Sequence, residues 1–190
     1  ALAAAALIVL KFFVTIIVLG SATGDPSYSA ALVVEIAEYV ALAIAFWFLH
    51  RWFRGIDARL SVIALAAGLA GVGMATAGDL VELAGAPLTD TALLVVILAA
   101  QVGVAAWLLL AGTLVGRSTS ALGRSGWLGQ LGGVGYLLIA GEYLAETAAP
   151  EATVVSAITA FAPFLVLFGV AFFFRLGRFA ATGRLAQGPI

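Results

Sequence analysis

Residues 89–115 read TDTALLVVILAAQVGVAAWLLLAGTLV, and after Asp90 the stretch carries no charged side chain. About 20 consecutive apolar residues are enough for a helix to cross the hydrocarbon of a bilayer, so a run of this length reads as a transmembrane span. The rest of the chain has the same character. Of its 190 residues 64% are hydrophobic and 10% charged, with a mean hydropathy of +1.17. A soluble domain usually carries about a quarter charged residues, and one small core cannot hide this much apolar surface from water. The fold class that follows is all-α, a polytopic membrane bundle.

Glycine, proline and charge clusters divide the chain into six apolar stretches, near 1–20, 28–50, 60–84, 89–115, 127–147 and 152–175. Each is long enough to span with modest tilt. The short connections 21–27 (SATGDPS), around Pro87 and around Pro150 pair the stretches into three antiparallel hairpins, making 1–190 a single transmembrane domain. The chain starts at Ala1 inside an apolar run, so the first span is open to lacking its beginning. Lys11 interrupts that run and no cleavage pattern follows, so it does not read as a signal peptide.

The connections of the other end are 51–59 (RWFRGIDAR), 116–126 (GRSTSALGRSG) and the tail 176–190. Arg51, Arg54, Arg59, Arg117, Arg124, Arg175, Arg178 and Arg184 all fall at this end. Asp25, Glu35, Glu38, Asp79, Glu82, Asp90, Glu142, Glu146 and Glu151 lie toward the other, and only Asp57 sits among the arginines. The positive-inside rule puts the arginine end and both termini in the cytoplasm of a bacterial-type inner membrane.

A repeat is readable in the same text. Residues 78–87 are GDLVELAGAP and 141–150 are GEYLAETAAP: glycine, an acid, a second acid three or four residues on, then proline. Gly71-Val72-Gly73 and Gly133-Val134-Gly135 precede them. The repeated unit is then a hairpin, spans three and four against five and six, in parallel orientation.

Ionisable groups inside the membrane are the first candidates for chemistry, because each costs a few kcal/mol near the bilayer centre unless paired or hydrated. Counting residues from the turn at 21–27 puts Lys11 and Glu38 at similar depth, roughly 14 Å below the outer surface. A Lys11–Glu38 ion pair is therefore expected, with Glu35 as the alternate acid. It serves either as a neutralising pair or as a proton- or cation-responsive site. Glu35 with Glu38, Asp79 with Glu82, and Glu142 with Glu146 are turn-spaced pairs. On converging helices they would form an acidic outer vestibule, or a set of oxygen ligands suited to a hard cation. The plain alternative for Asp79, Glu82 and Glu146 is that they mark helix ends at the headgroups. Gln101, near the middle of span four, reads as interhelical glue or as part of a pore.

Trp107 lies well inside span four and is expected to face lipid or a bound hydrophobic molecule. His50, between Trp47 and Trp52, reads as part of an interfacial aromatic belt. Phe172-Phe173-Phe174 reads as lipid-facing or inter-subunit bulk. Gly112-x-x-x-Gly116 and Gly129-x-x-x-Gly133 are small-residue patterns that let helix backbones approach closely.

Several function classes drop out. Without cysteine there is no disulfide or thiolate metal site, and one histidine cannot make a multi-histidine centre. A net charge of −1 gives no footprint for nucleic acid. A Ser/His dyad of an intramembrane protease needs a serine at the depth of His50, and none is evident. A retinal protein needs a lysine in its last helix, yet Lys11 lies in the first span. No nucleotide or other cofactor pattern is present, so no cofactor is expected.

The stretch from Gln101 to Arg178 carries Gly112-Thr113-Leu114 before Arg117-Ser118, then Trp127-Leu128-Gly129 leading to Gly135-Tyr136-Leu137-Leu138. It resembles a bacterial family of small multi-pass membrane proteins known only as a domain of unknown function. The resemblance implies topology and no activity. Span three departs from the family's pattern in having no arginine within its membrane part. The leading expectation is a non-enzymatic integral membrane protein, a structural or accessory subunit. Its partners would be the bilayer and further copies or other membrane subunits. The alternatives are a proton- or cation-coupled transporter or channel, and a lipid- or pigment-binding membrane protein.

Overall fold

The computed structural model describes residues 26–86, 88–148 and 153–182. Among these the chain forms five α-helices: α1 Pro26–Phe53, α2 Ala58–Leu83, α3 Asp90–Arg117, α4 Gly126–Ala148 and α5 Thr153–Ala181. A short 3-10 turn, Gly123–Ser125, precedes α4. The described residues contain no strand. Ser29–Phe53 of α1, all of α2 and α3, and Phe161–Ala181 of α5 are each long and apolar enough to cross a membrane. At 1.5 Å per residue, α3 alone is about 42 Å long. The expected span near 1–20 lies outside the described residues. α4 is helical over the expected 127–147 but is not among the four by length and hydropathy; its many glycines, with Gln130 and Glu142, dilute it.

Helix starts follow local chemistry. Asp57 is extended and its carboxylate accepts from Leu60 N at 3.0 Å, capping α2. Thr89 caps α3 through Ala92 N. α2 ends as the chain turns through Gly85 at φ 78°, a backbone that glycine adopts without steric cost. Inside the helices, Thr76 and Thr113 donate their hydroxyls to the carbonyls of Val72 and Leu109, so neither leaves a donor idle in an apolar setting.

Each helix packs on the next in chain order, and aromatic contacts bring α5 back onto α1. Glycine sets the closest approaches. A β-carbon at Gly103 of α3 would lie 2.5 Å from Gly71 Cα of α2, a distance real side chains do not reach. α4 is squeezed from two sides. Gly126, Gly129 and Gly133 meet Gly112, Ala105 and Leu109 of α3, while Gly132 and Gly135 meet Gly169, Leu165 and Val166 of α5. This is why α4 has so little apolar bulk: it serves as a thin spacer whose neighbours need its backbone close. Both small-residue patterns read from the sequence lie in this contact.

The two copies of the sequence repeat do not pack alike. A β-carbon at Gly78 would strike Val96, whereas one at Gly141 would meet nothing within 4 Å. Pro87 and Pro150 fall outside the described residues.

The bulky core sits in the arginine half of the bundle. Trp107 of α3 is 1% exposed and stacks on Phe46 of α1 at 4.2 Å and on Phe173 of α5 at 5.2 Å. Phe53, Phe172, Leu108 and Leu176 fill the surroundings. The expectation that Trp107 faces lipid or a bound molecule is thus corrected: protein rings take its faces. Phe172 and Phe173 are likewise interior, and only Phe174 points outward. The physical reason is that α3 is the central helix, with α2 and α4 on it and α1 and α5 meeting across its lower half.

Candidate functional site

Three cross-links fix which loops share an end. Arg117 at the end of α3 donates to the Asp57 carboxylate at 3.1 Å. Arg175 of α5 donates to Ser125 Oγ at 2.9 Å. Trp52 of α1 packs on Phe179 of α5, ring centres 6.0 Å apart. The connections 54–57 and 118–125 and the last turns of α5 are therefore neighbours, so the arginines that the described residues hold are gathered at one end. By the alternation of helix direction, Glu35, Glu38, Asp79, Glu82 and Glu142 lie toward the other.

Among the described residues Glu38 is the one buried carboxylate, 3% exposed, on the face of α1 that also carries Leu42, Ala45 and Phe46 inward. Glu35, one turn earlier, is half-buried, as are Asp79, Glu82 and Glu142. All five, together with Tyr39, Tyr136 and Tyr143, engage a neighbouring group. Lys11, the expected partner of Glu38, lies outside the described residues; Glu146 is within α4, but its side chain is not described. The hard-cation idea draws no support here. Among the described residues no three acidic or histidine side chains assemble as a metal-ligand set. The buried Oε1 of Gln101 accepts no hydrogen bond among the described residues.

The sequence reading missed a Ser–His contact. Ser61 Oγ lies 2.7 Å from His50 Nδ1 and 3.1 Å from His50 O, and His50 Nδ1 lies 3.2 Å from Ser61 O. The signal was available: a turn of four residues, 54–57, sets the last turn of α1 beside the first of α2. The expectation that His50 has no serine at its depth is therefore corrected. One proton assignment satisfies all three contacts. His50 Nδ1–H donates to both oxygens of Ser61, and the Ser61 hydroxyl donates to the His50 carbonyl. Ser61 is also fully buried. The pair clasps the hairpin, tying the last turn of α1 to the first turn of α2. Trp47 faces outward near His50, whereas Trp52 and Phe53 are interior.

At the same end a cavity of about 280 Å³ opens between the 3-10 turn and α5, lined by Leu122, Ser125, Arg175, Arg178, Phe179 and Thr182. No sequence signal pointed to it, because its two sides come from segments about 50 residues apart.

Four apolar helices of spanning length, with the arginines of the described residues gathered at one end, are consistent with a multi-pass membrane protein. Compared with protein families, curated proteins and solved structures, the chain matches none. Membership of the family that residues 101–178 resemble thus has no family match behind it.

Proposed function

We propose that the protein is a non-enzymatic integral membrane subunit with six spans, both termini on the arginine side. That side would face the cytoplasm of a bacterial-type inner membrane. The observation that carries the reading is the filled interior of the described residues: Trp107, stacked between Phe46 and Phe173, plugs the middle of the arginine half. Outward-facing Trp47, Phe48, Phe161 and Phe164 offer the lateral apolar surface that lipid, further copies or other membrane subunits would cover.

The second reading, a proton- or cation-coupled transporter, is favoured by one observation, the depth and burial of Glu38. The third, a lipid or pigment binder lined by Trp107, loses its sequence argument with Trp107 enclosed by protein. Proton and cation flux into liposomes separates the first two, comparing wild type with Glu38→Gln and Lys11→Met. The subunit reading expects wild-type flux no greater than that of empty liposomes, with the variants only less stable. Flux that wild type supports and Glu38→Gln abolishes would overturn it in favour of transport.

A further inference from the structure

The cavity beside the end of α5 combines cationic and apolar lining. Its two guanidinium groups, Arg175 and Arg178, lie one turn apart on α5, and among the described residues no carboxylate lines it. Arg117 at the same end is neutralised by Asp57, but neither Arg175 nor Arg178 has a carboxylate partner among the described residues. Arg175 is instead held by a neutral group, the hydroxyl of the fully buried Ser125. That bond orients the guanidinium without cancelling its charge. Thr182 adds a hydroxyl to the rim, and Leu122 and Phe179 supply apolar walls.

Arginine binds phosphate through two parallel N–H donors, and basic pockets between helices at a membrane surface suit phospholipid headgroups. At about 280 Å³ the cavity lies below the roughly 300–1,000 Å³ of sites that enclose whole drug-sized ligands. It therefore suits a headgroup, with the chains left outside along Leu122 and Phe179. We propose that this cavity binds the phosphodiester headgroup of an anionic phospholipid, with Arg175 and Arg178 on the phosphate and Thr182 on its polar substituent.

The test is native mass spectrometry of the full chain in neutral detergent, titrated separately with phosphatidylglycerol, phosphatidylcholine and inorganic phosphate. Wild type is expected to hold one phosphatidylglycerol at least tenfold more tightly than phosphatidylcholine, with inorganic phosphate failing to displace it. Arg178→Gln, which removes no hydrogen bond among the described residues, is expected to weaken phosphatidylglycerol about tenfold at an unchanged melting midpoint. Arg175→Gln should weaken it as much or more. The charge-matched Arg117→Gln should bind as wild type does. Equal retention of both lipids, or equal loss in Arg117→Gln and Arg178→Gln, would overturn the proposal. Displacement by phosphate at equal concentration would replace the lipid with a free anion.

Discussion

Replacing Trp107 by alanine isolates what holds the arginine half together. In a bilayer the separated helices are still in an apolar solvent, so little transfer free energy is lost with the indole; what is lost is packing. The ring is enclosed, 1% exposed, with Phe46 at 4.2 Å and Phe173 at 5.2 Å. Its removal leaves a hole of roughly 140 Å³, which at about 24 cal/mol per Å³ costs about 3 kcal/mol. Two lost ring stacks add on the order of 1 kcal/mol each, for a total of about 5 kcal/mol. Trp127, 51% exposed with one tilted contact to Phe168, is the matched control, and Trp127→Ala should cost under about 1 kcal/mol. Equilibrium unfolding in mixed micelles, followed by near-ultraviolet circular dichroism, measures both, and Trp107→Phe should recover part of the loss. If Trp107→Ala costs no more than Trp127→Ala, the aromatic plug is not what organises the bundle.

The helix contacts give three further expectations, each checked by melting midpoint in the same micelles. Gly103→Leu should destabilise by about 1–3 kcal/mol by driving α3 off Gly71, while Gly73→Ala, whose β-carbon meets nothing within 4 Å, should change little. Ser61→Ala should cost about 1–2 kcal/mol, because it removes the hydroxyl donor from the His50 carbonyl as well as an acceptor from the ring. Asp57→Ala should cost about 1 kcal/mol through the lost cap on α2. Arg117→Gln should cost less, since the pair it breaks is 55% and 31% exposed. An Arg117→Gln loss as large as that of Asp57→Ala would show that the ion pair, and not the cap, is what matters there.

The helices themselves are legible in the sequence because their signals are one-dimensional. Uninterrupted hydropathy, with glycine, proline and charge clusters at the turns, places 60–84 and 89–115 within two residues of α2 and α3. The end of α5 lies beyond the expected 175, which marks where arginine meets the membrane boundary. Arginine is also a good helix former, and the helix runs on to Ala181. Orientation of individual side chains is the illegible part. A helix that is apolar nearly all round gives no stripe to say which face is inward, so nothing in the text turns Trp107 and Phe172-Phe173 toward the interior. The Arg175–Ser125 contact, the cavity above it and the His50–Ser61 clasp depend on which helix returns to which. Composition does not encode that, although the brevity of the 54–57 turn does imply the clasp.

The absence of cysteine makes the central claim directly measurable, since any cysteine introduced is the only thiol in the chain. The measurement is labelling of single-cysteine variants by a membrane-impermeant maleimide in sealed vesicles, at Thr89, at Thr119 and at Ala105, which is fully buried at the α3–α4 contact. A membrane-spanning bundle with a sealed interior predicts that Thr89→Cys and Thr119→Cys label from opposite sides and that Ala105→Cys stays silent from both. Labelling of Thr89→Cys and Thr119→Cys from the same side, or rapid labelling of Ala105→Cys, would contradict it.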